Sequence, residues 1–313
     1  MKHVVKKLGI ILLLLITSLA NAQEEDPLRV AIAHLQNGKL DSAKMFIDQL
    51  TTDPQAAKDG NVWYYRGFIY KSIYNKWEKK DKRSNSRMEA LKAFKQSLVL
   101  LDTSKTMIAE NKKNIKYLTT TLYNDVSSSL DSLDYKTAIE TFELFKEYYP
   151  LTDPSPQNIK EYNIKFWLAL GSTYSKIYED DKTVKPEIKE ANKNNKGEIL
   201  KLAVDAYNNT LSLDTMNNSA YYNIATLYYQ HAANLIQQLD YGIEIPELSK
   251  TEDNTFVLYR RSLPFMLSSY KIDPTRVEVL YGLYSIYYSL NEIEKSNEFK
   301  EKLEKRLKEL EKK

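Results

Sequence analysis

The stretch that decides the fold is Trp167-Leu168-Ala169-Leu170-Gly171-Ser172-Thr173-Tyr174. Its bulky residues recur three, four and seven positions apart, which places them on one face of a helix. A second helical pattern follows, in which Ala203 precedes Tyr207 by four positions. Small residues at Gly171 and Ala203 would let two antiparallel helices approach closely while the aromatic rings fill the space around the contact. The sequence therefore predicts a pair of packed helices.

The same register returns along most of the chain. It recurs as Tyr221, Ile224, Ala225 and Tyr228 with Ser262, Met266 and Ser269, and as Trp63, Gly67 and Tyr70 with Ala90, Phe94 and Ser97. Weaker units are centred on Gly38 to Ala43, on Asp134 to Phe142 with a first helix near Ile115 to Leu130, and on Val277 to Tyr287 with a turn near Asn291. Several units in one register indicate a repeat architecture.

The W-x2-L-G-x2-Y pattern, followed by A-x3-aromatic and a closing Asp-Pro or near equivalent, resembles the tetratricopeptide-repeat (TPR) family. The resemblance covers about Asp26 to Lys308, although Arg66 stands where the family prefers leucine. It implies an all-α, TPR-like α-solenoid of about six helix pairs. The predicted repeats lie near 26–54, 60–103, 112–150, 160–215, 218–274 and 277–313, the last with a C-terminal capping helix, in a single domain spanning 23–313.

Three units carry insertions between their paired helices. The distance from the tryptophan position to the alanine position is 27 residues from Trp63 to Ala90, 36 from Trp167 to Ala203, and 41 from Tyr221 to Ser262. We expect the insertions to lengthen both helices and to project from one edge. Their compositions are basic at 76–88, mixed and polar at 179–196, and acidic at 240–253, which is more typical of solvated loops than of sites.

The first residues have the order of a secretory signal. Lys2, Lys6 and Lys7 precede an apolar run from Leu8 to Leu19 and then Ala20-Asn21-Ala22, which predicts a signal peptide at 1–22 and a mature start at Gln23. The apolar run is shorter than the roughly twenty residues that span a bilayer. Together with the absence of cysteine from the chain, this predicts a periplasmic or secreted protein that does not span the membrane after cleavage.

Composition argues against several classes of function. The 45 basic and 42 acidic residues nearly balance once the three signal lysines are removed, so no global charge attracts nucleic acid or anionic membranes. His34 and His231 have no zinc-type spacing and are expected to pack between helices. No phosphate-binding loop or nucleophile elbow is present in the sequence. We therefore predict a protein that is not an enzyme and that has no catalytic residue, metal ligand or cofactor.

The resemblance implies a partner groove lined by the first helix of each pair, because TPR proteins usually bind extended peptides on that concave face. The predicted groove residues are Tyr64, Phe68, Lys71, Tyr123, Asn124, Lys176, Tyr222, Asn223, Thr226, Tyr229, Tyr281, Ser285 and Tyr288. Similarity to the exported TPR proteins of bacteria implies a protein–protein interaction scaffold of the periplasm or cell envelope. A glycan- or polymer-binding module is the alternative, because tyrosine and asparagine also suit sugars. The sequence predicts neither the partner nor the oligomeric state.

Overall fold

The structure, a computed structural model, describes residues 26–101, 104–179, 184–192, 195–240 and 242–312. These residues form thirteen helices and, within those ranges, no strand, so the all-α fold class is confirmed. The predicted signal peptide at 1–22 and the cleavage before Gln23 lie outside the described residues. No helix in the described ranges has the length and apolar character needed to cross a membrane.

The helices follow one another through short connections. In chain order they are α1 (Pro27–Gln36), α2 (Leu40–Thr52), α3 (Gly60–Ile73), α4 (Asn85–Leu100), α5 (Lys105–Asp131), α6 (Tyr135–Tyr148), α7 (Pro156–Tyr178), α8 (Pro186–Asn192), α9 (Lys196–Leu213), α10 (Asn218–Gln237), α11 (Ile245–Ile272), α12 (Val277–Ser289) and α13 (Ile293–Glu311). A π-helical turn, Tyr74–Glu78, continues α3, and short 3-10 turns occupy Ala56–Lys58 and Tyr149–Leu151.

The contacts divide the chain into two compact units. Unit 1 contains the described residues up to Tyr123 together with Leu144–Pro154, and unit 2 contains Asn124–Glu143 and the described residues from Ser155 onward. In unit 1, α1 packs on α2, α2 on α3, and α3 on α4. In unit 2, α7 packs on α9, and each helix from α9 to α12 packs on the next one. Each unit thus stacks helix pairs in sequence order, as in a TPR-like solenoid, whereas the single domain spanning 23–313 stays a prediction.

Three of the helix pairs share one turn. Gly38, Leu133 and Asn291 each have a positive φ, of 70°, 62° and 58°, two positions before the second helix of their pair begins. In the first of these turns the amide of Lys39 donates to the His34 carbonyl at 2.9 Å, the six-to-one bond of a Schellman motif. The sequence indicated the turn at Asn291, whereas a leucine in the left-handed region has no sequence signal.

Replacing Gly38 with alanine should lower the free energy of unfolding by about 1 kcal/mol, because φ is positive there and a Cβ is disfavoured in that region. Gly197 provides the matched control, since a Cβ at either glycine meets no atom within 4 Å and Gly197 lies in the first turn of α9. Gly197→Ala should leave stability unchanged or raise it. Urea unfolding followed by circular dichroism measures both variants, and equal effects would contradict the assignment of strain to Gly38.

The insertions are more helical than a loop interpretation predicts. The predicted lengthening is present in α7 and α11, which have 23 and 28 residues, and a separate short helix, α8, occupies part of the middle insertion. The predicted acidic loop at 240–253 is helical from Ile245 onward. The first helix of the third repeat begins at Lys105 rather than near Ile115. Polar residues with good helix propensity extend these helices beyond their packed segments.

Candidate functional site

The close contact predicted for Gly171 is present and faces an aromatic ring. A Cβ at Gly171 in α7 would lie 2.6 Å from a ring carbon of Tyr207 in α9. The Tyr207 hydroxyl lies 3.1 Å from the Ser175 hydroxyl and is hydrogen-bonded to the Asn223 side chain, and burial raises the pKa of Tyr207 to about 12. Asn223, a predicted groove residue, therefore connects α10 to the preceding helix pair.

Other predicted groove residues of α10 also contact neighbouring helices. The Tyr222 ring lies 4.3 Å from the guanidinium carbon of Arg276, and the Tyr229 ring packs on Tyr259 with 5.3 Å between centroids. Tyr222, Tyr229 and Thr226 are each partly buried. These side chains contribute to packing between repeats, and they offer a partner only part of their surface.

The predicted residues of α12 are more accessible. Tyr281 and Tyr288 are 58% and 64% exposed, although both side chains are large and mostly apolar. Ser285 lies between them and is partly buried. Positions 281, 285 and 288 are four and seven residues apart and so share one helix face. We refer to these three residues as the α12 tyrosine face.

A cavity lies beside the predicted residues of unit 1. It has a volume of about 460 Å³. Its lining comes from α1, α3 and the start of α2 and consists of Ile32, Leu35, Gln36, Leu40, Tyr64, Tyr65, Phe68 and Ser72. Tyr64 and Phe68 were predicted from the repeat register, whereas Ile32 and Gln36 were missed. Their i,i+4 spacing on a first helix was the signal that could have identified them.

Lys71 lies next to this cavity on α3. Its ammonium group is 4.3 Å from the Phe68 ring centroid and donates a hydrogen bond to the Asn114 side-chain oxygen. Burial lowers the pKa of Lys71, and the charge of Lys113 acts in the same direction against that of Glu110. The structure thus brings Tyr64, Phe68 and Lys71 together within unit 1.

The remaining predicted residues are dispersed. Tyr123 in unit 1 packs on Phe145 with ring centroids 5.2 Å apart. Asn124 and Lys176, both in unit 2, are exposed. The predicted groove residues therefore separate into a cluster beside the cavity of unit 1, the α12 tyrosine face of unit 2, and individual side chains that pack or face solvent.

His34 and His231 each pack between helices. His34 stacks on Phe46 with ring centroids 5.2 Å apart, and the Nδ1 of His231 is hydrogen-bonded to the Tyr178 hydroxyl. Burial lowers the pKa of His231. Across the described part of the chain, no group of three histidine, aspartate or glutamate side chains is arranged to hold a metal ion.

Comparison with known proteins returns matches among solved structures only. The sequence matches no protein-family model and no curated protein. Among solved structures, MamA covers 91% of this chain and 98% of its own at 11% identity, with a TM-score of 0.28. The match to the type IV pilus biogenesis factor PilW covers 90% of this chain and 96% of the PilW chain at 16% identity, with a TM-score of 0.27. The TPR domain of P58(IPK) covers 91% and 98% at 15% identity, with a TM-score of 0.25.

Proposed function

We propose that this chain is a non-catalytic scaffold of the periplasm or cell envelope that binds a protein or peptide segment on the first helices of its repeats. The observation that carries the proposal is the α12 tyrosine face, where two large rings are more exposed than packing requires. Tyrosine offers a broad, rigid contact with a polar end at low entropic cost, which suits protein recognition.

The spacing of this face fits an extended peptide. Seven residues of helix rise by about 10 Å, so Tyr281 and Tyr288 are separated by roughly the length of three residues of extended chain. The backbone of a bound segment could therefore run from one ring to the other, and the Ser285 hydroxyl can donate or accept a hydrogen bond between them. The cavity beside Tyr64 and Phe68 would serve unit 1 in a different way, by accepting one bulky apolar side chain.

The Tyr281→Ala/Tyr288→Ala double variant should bind peptide at least about tenfold more weakly, since exposed tyrosines at interfaces are frequent hot spots. Random-sequence peptides selected on the wild-type chain provide the ligands, and fluorescence polarisation measures their affinity. Phe256→Ala is the matched control, because Phe256 is an exposed aromatic residue on α11, a second helix. Circular dichroism confirms that each variant is folded.

Two results would contradict the proposal. One is equal peptide affinity of the double variant and the wild type. The other is the absence of selectable peptides together with saturable binding on a glycan array that the double variant loses, which would assign the α12 tyrosine face to sugars.

A further inference from the structure

An exposed tryptophan lies at the end of the α3 extension. Trp77, in the π-helical turn, is 52% exposed, and the Lys76 ammonium lies 5.0 Å from its ring centroid. Lys79 and Lys80 follow directly and are exposed. We refer to 75–83 as the α3–α4 tip. The binding surfaces proposed above do not include this segment, which combines an exposed aromatic ring with basic side chains.

The base of the tip is held by a carboxylate that accepts three hydrogen bonds. Glu78 accepts from the Ser84 hydroxyl at 2.7 Å, from the Ser86 hydroxyl at 2.6 Å and from the Ser86 amide at 3.0 Å. Burial opposes ionisation of Glu78, but these bonds outweigh it and lower its pKa. The Glu78 carboxylate is therefore held at the base of the tip by neutral donors, and its single charge offsets the neighbouring lysines only in part.

A buried arginine holds the tip from the other side. Arg87 is almost fully buried, its Nη2 donates to the Lys82 carbonyl at 2.7 Å, and its guanidinium carbon lies 5.3 Å from the Tyr74 ring centroid. The second acid of the tip, Asp81, accepts a hydrogen bond from the Arg83 amide at 2.8 Å. These bonds fix the turn that presents Trp77.

Helix α5 places a second exposed ring beside the tip. The Tyr117 hydroxyl donates to the Asn75 side-chain oxygen at 2.7 Å, and Tyr117 is 39% exposed. We define the basic aromatic patch as Lys76, Trp77, Lys79, Lys80 and Tyr117. All of these residues belong to unit 1.

We propose that the basic aromatic patch docks this protein on an anionic lipid surface. Tryptophan and tyrosine rings favour the boundary between headgroups and acyl chains, and nearby lysines are attracted to anionic headgroups. The near neutrality of the whole chain does not oppose such docking, because charges beyond about a Debye length are screened. An aromatic ring at a projecting turn can enter a lipid layer, whereas an acidic peptide would gain little apolar contact there.

Co-sedimentation with vesicles of phosphatidylcholine, alone or mixed with phosphatidylglycerol in equal amounts, tests the proposal. The chain from Gln23 onward is used in every arm, because it contains all described helices and lacks the apolar run of residues 8–19. We expect binding to the anionic vesicles only. The Lys79→Ala/Lys80→Ala double variant should bind the anionic vesicles roughly thirtyfold more weakly, because each lysine near an anionic surface contributes about a fivefold gain in affinity and the two gains multiply. Trp77→Ala should weaken it about tenfold, the equivalent of some 50 Å² of apolar area returned to water.

Two controls separate docking from general effects. Lys300→Ala/Lys305→Ala on α13 removes the same charge from exposed positions elsewhere and should bind like the wild type. Brominated lipids should quench the fluorescence of the wild type, and Trp77→Phe should lose that quenching while still sedimenting with the vesicles.

Equal binding of the wild type and both patch variants would overturn the proposal, as would equal binding to neutral and anionic vesicles. A third result would also overturn it: the wild type does not bind vesicles but binds polyglutamate, and the patch variants do not bind polyglutamate. That outcome would assign the patch to an acidic protein.

Discussion

Replacing Gly171 with leucine should lower the free energy of unfolding by about 3 kcal/mol, the upper part of the range for overpacking a filled interior. The Cβ alone would lie 2.6 to 2.9 Å from three carbons of the Tyr207 ring, which is nearly fully buried and hydrogen-bonded at its hydroxyl. Moving the ring would break the hydrogen bonds of its hydroxyl and disturb the contact between α7 and α9. Chemical denaturation followed by circular dichroism measures the change.

A pair of alanine variants isolates the contribution of the ring. A Cβ at Gly282 would lie 2.5 Å from the terminal methyl of Met266, a flexible side chain that can rotate away. Both Gly171→Ala and Gly282→Ala gain about 1 kcal/mol of helix propensity. We expect Gly282→Ala to be neutral or stabilising and Gly171→Ala to be destabilising. Two variants of equal stability would contradict the role given to the Tyr207 ring.

Arg66→Met should destabilise the fold by about 2 kcal/mol, between the values for losing an exposed ion pair and for removing one member of a buried pair. The Arg66 side chain is only 12% exposed, with Nε 3.0 Å from the Asp48 carboxylate and Nη2 2.9 Å from the Glu89 carboxylate. Its guanidinium carbon also lies 4.5 Å from the Tyr70 ring centroid. The variant leaves two partly buried carboxylates without this cation, although Lys44 and Lys92 still contact them.

The effect of Arg66→Met should depend on pH. Burial opposes ionisation of Glu89, but hydrogen bonds from Lys92 and Arg66 and the charges of both outweigh it and lower the pKa of Glu89 below its usual 4.5. A lowered pKa contributes stability that is present above the unfolded value and is lost as pH falls through the folded value. The difference in stability between wild type and variant should therefore narrow below about pH 4.5, measured by urea unfolding across a pH series.

The triple variant Asp48→Asn/Arg66→Met/Glu89→Gln separates the ion pairs from packing. It lacks all three charges, so no carboxylate is left unpaired, and it should be more stable than Arg66→Met alone. A triple variant as unstable as the single one would show that the packing of the arginine stem, rather than its charge, carries the effect.

Short-range patterns predicted the helix pairs well. The spacing of Gly171, Ala203 and Tyr207 gave the right helices, because packing between neighbours in sequence depends on residue size and helical period. The ion pairs of Arg66 were not predicted. Asp48 and Glu89 are 18 and 23 residues away from Arg66 in sequence. The sequence pattern showed only that an arginine stands where the TPR family prefers leucine.

The partner surface was harder to predict than the fold. Positions in α10 and α12 share one repeat register, yet Asn223 bonds to Tyr207 while Tyr281 is mostly exposed. The difference arises from the neighbouring helices, whose side chains occupy the α10 positions. The repeat register defines the helix face on which a residue lies. The exposure of that residue depends on which side chains of the adjacent helix pair contact it.

The sequence-order stacking within each unit has a kinetic consequence. Helices such as α12 and α13 pack on each other across a turn of three residues, 290–292, so closing the chain between them costs little conformational entropy. Proteins dominated by such local contacts fold in roughly microseconds to milliseconds. The contacts within such a pair can therefore form early, whereas burial of its outer faces awaits the neighbouring pairs.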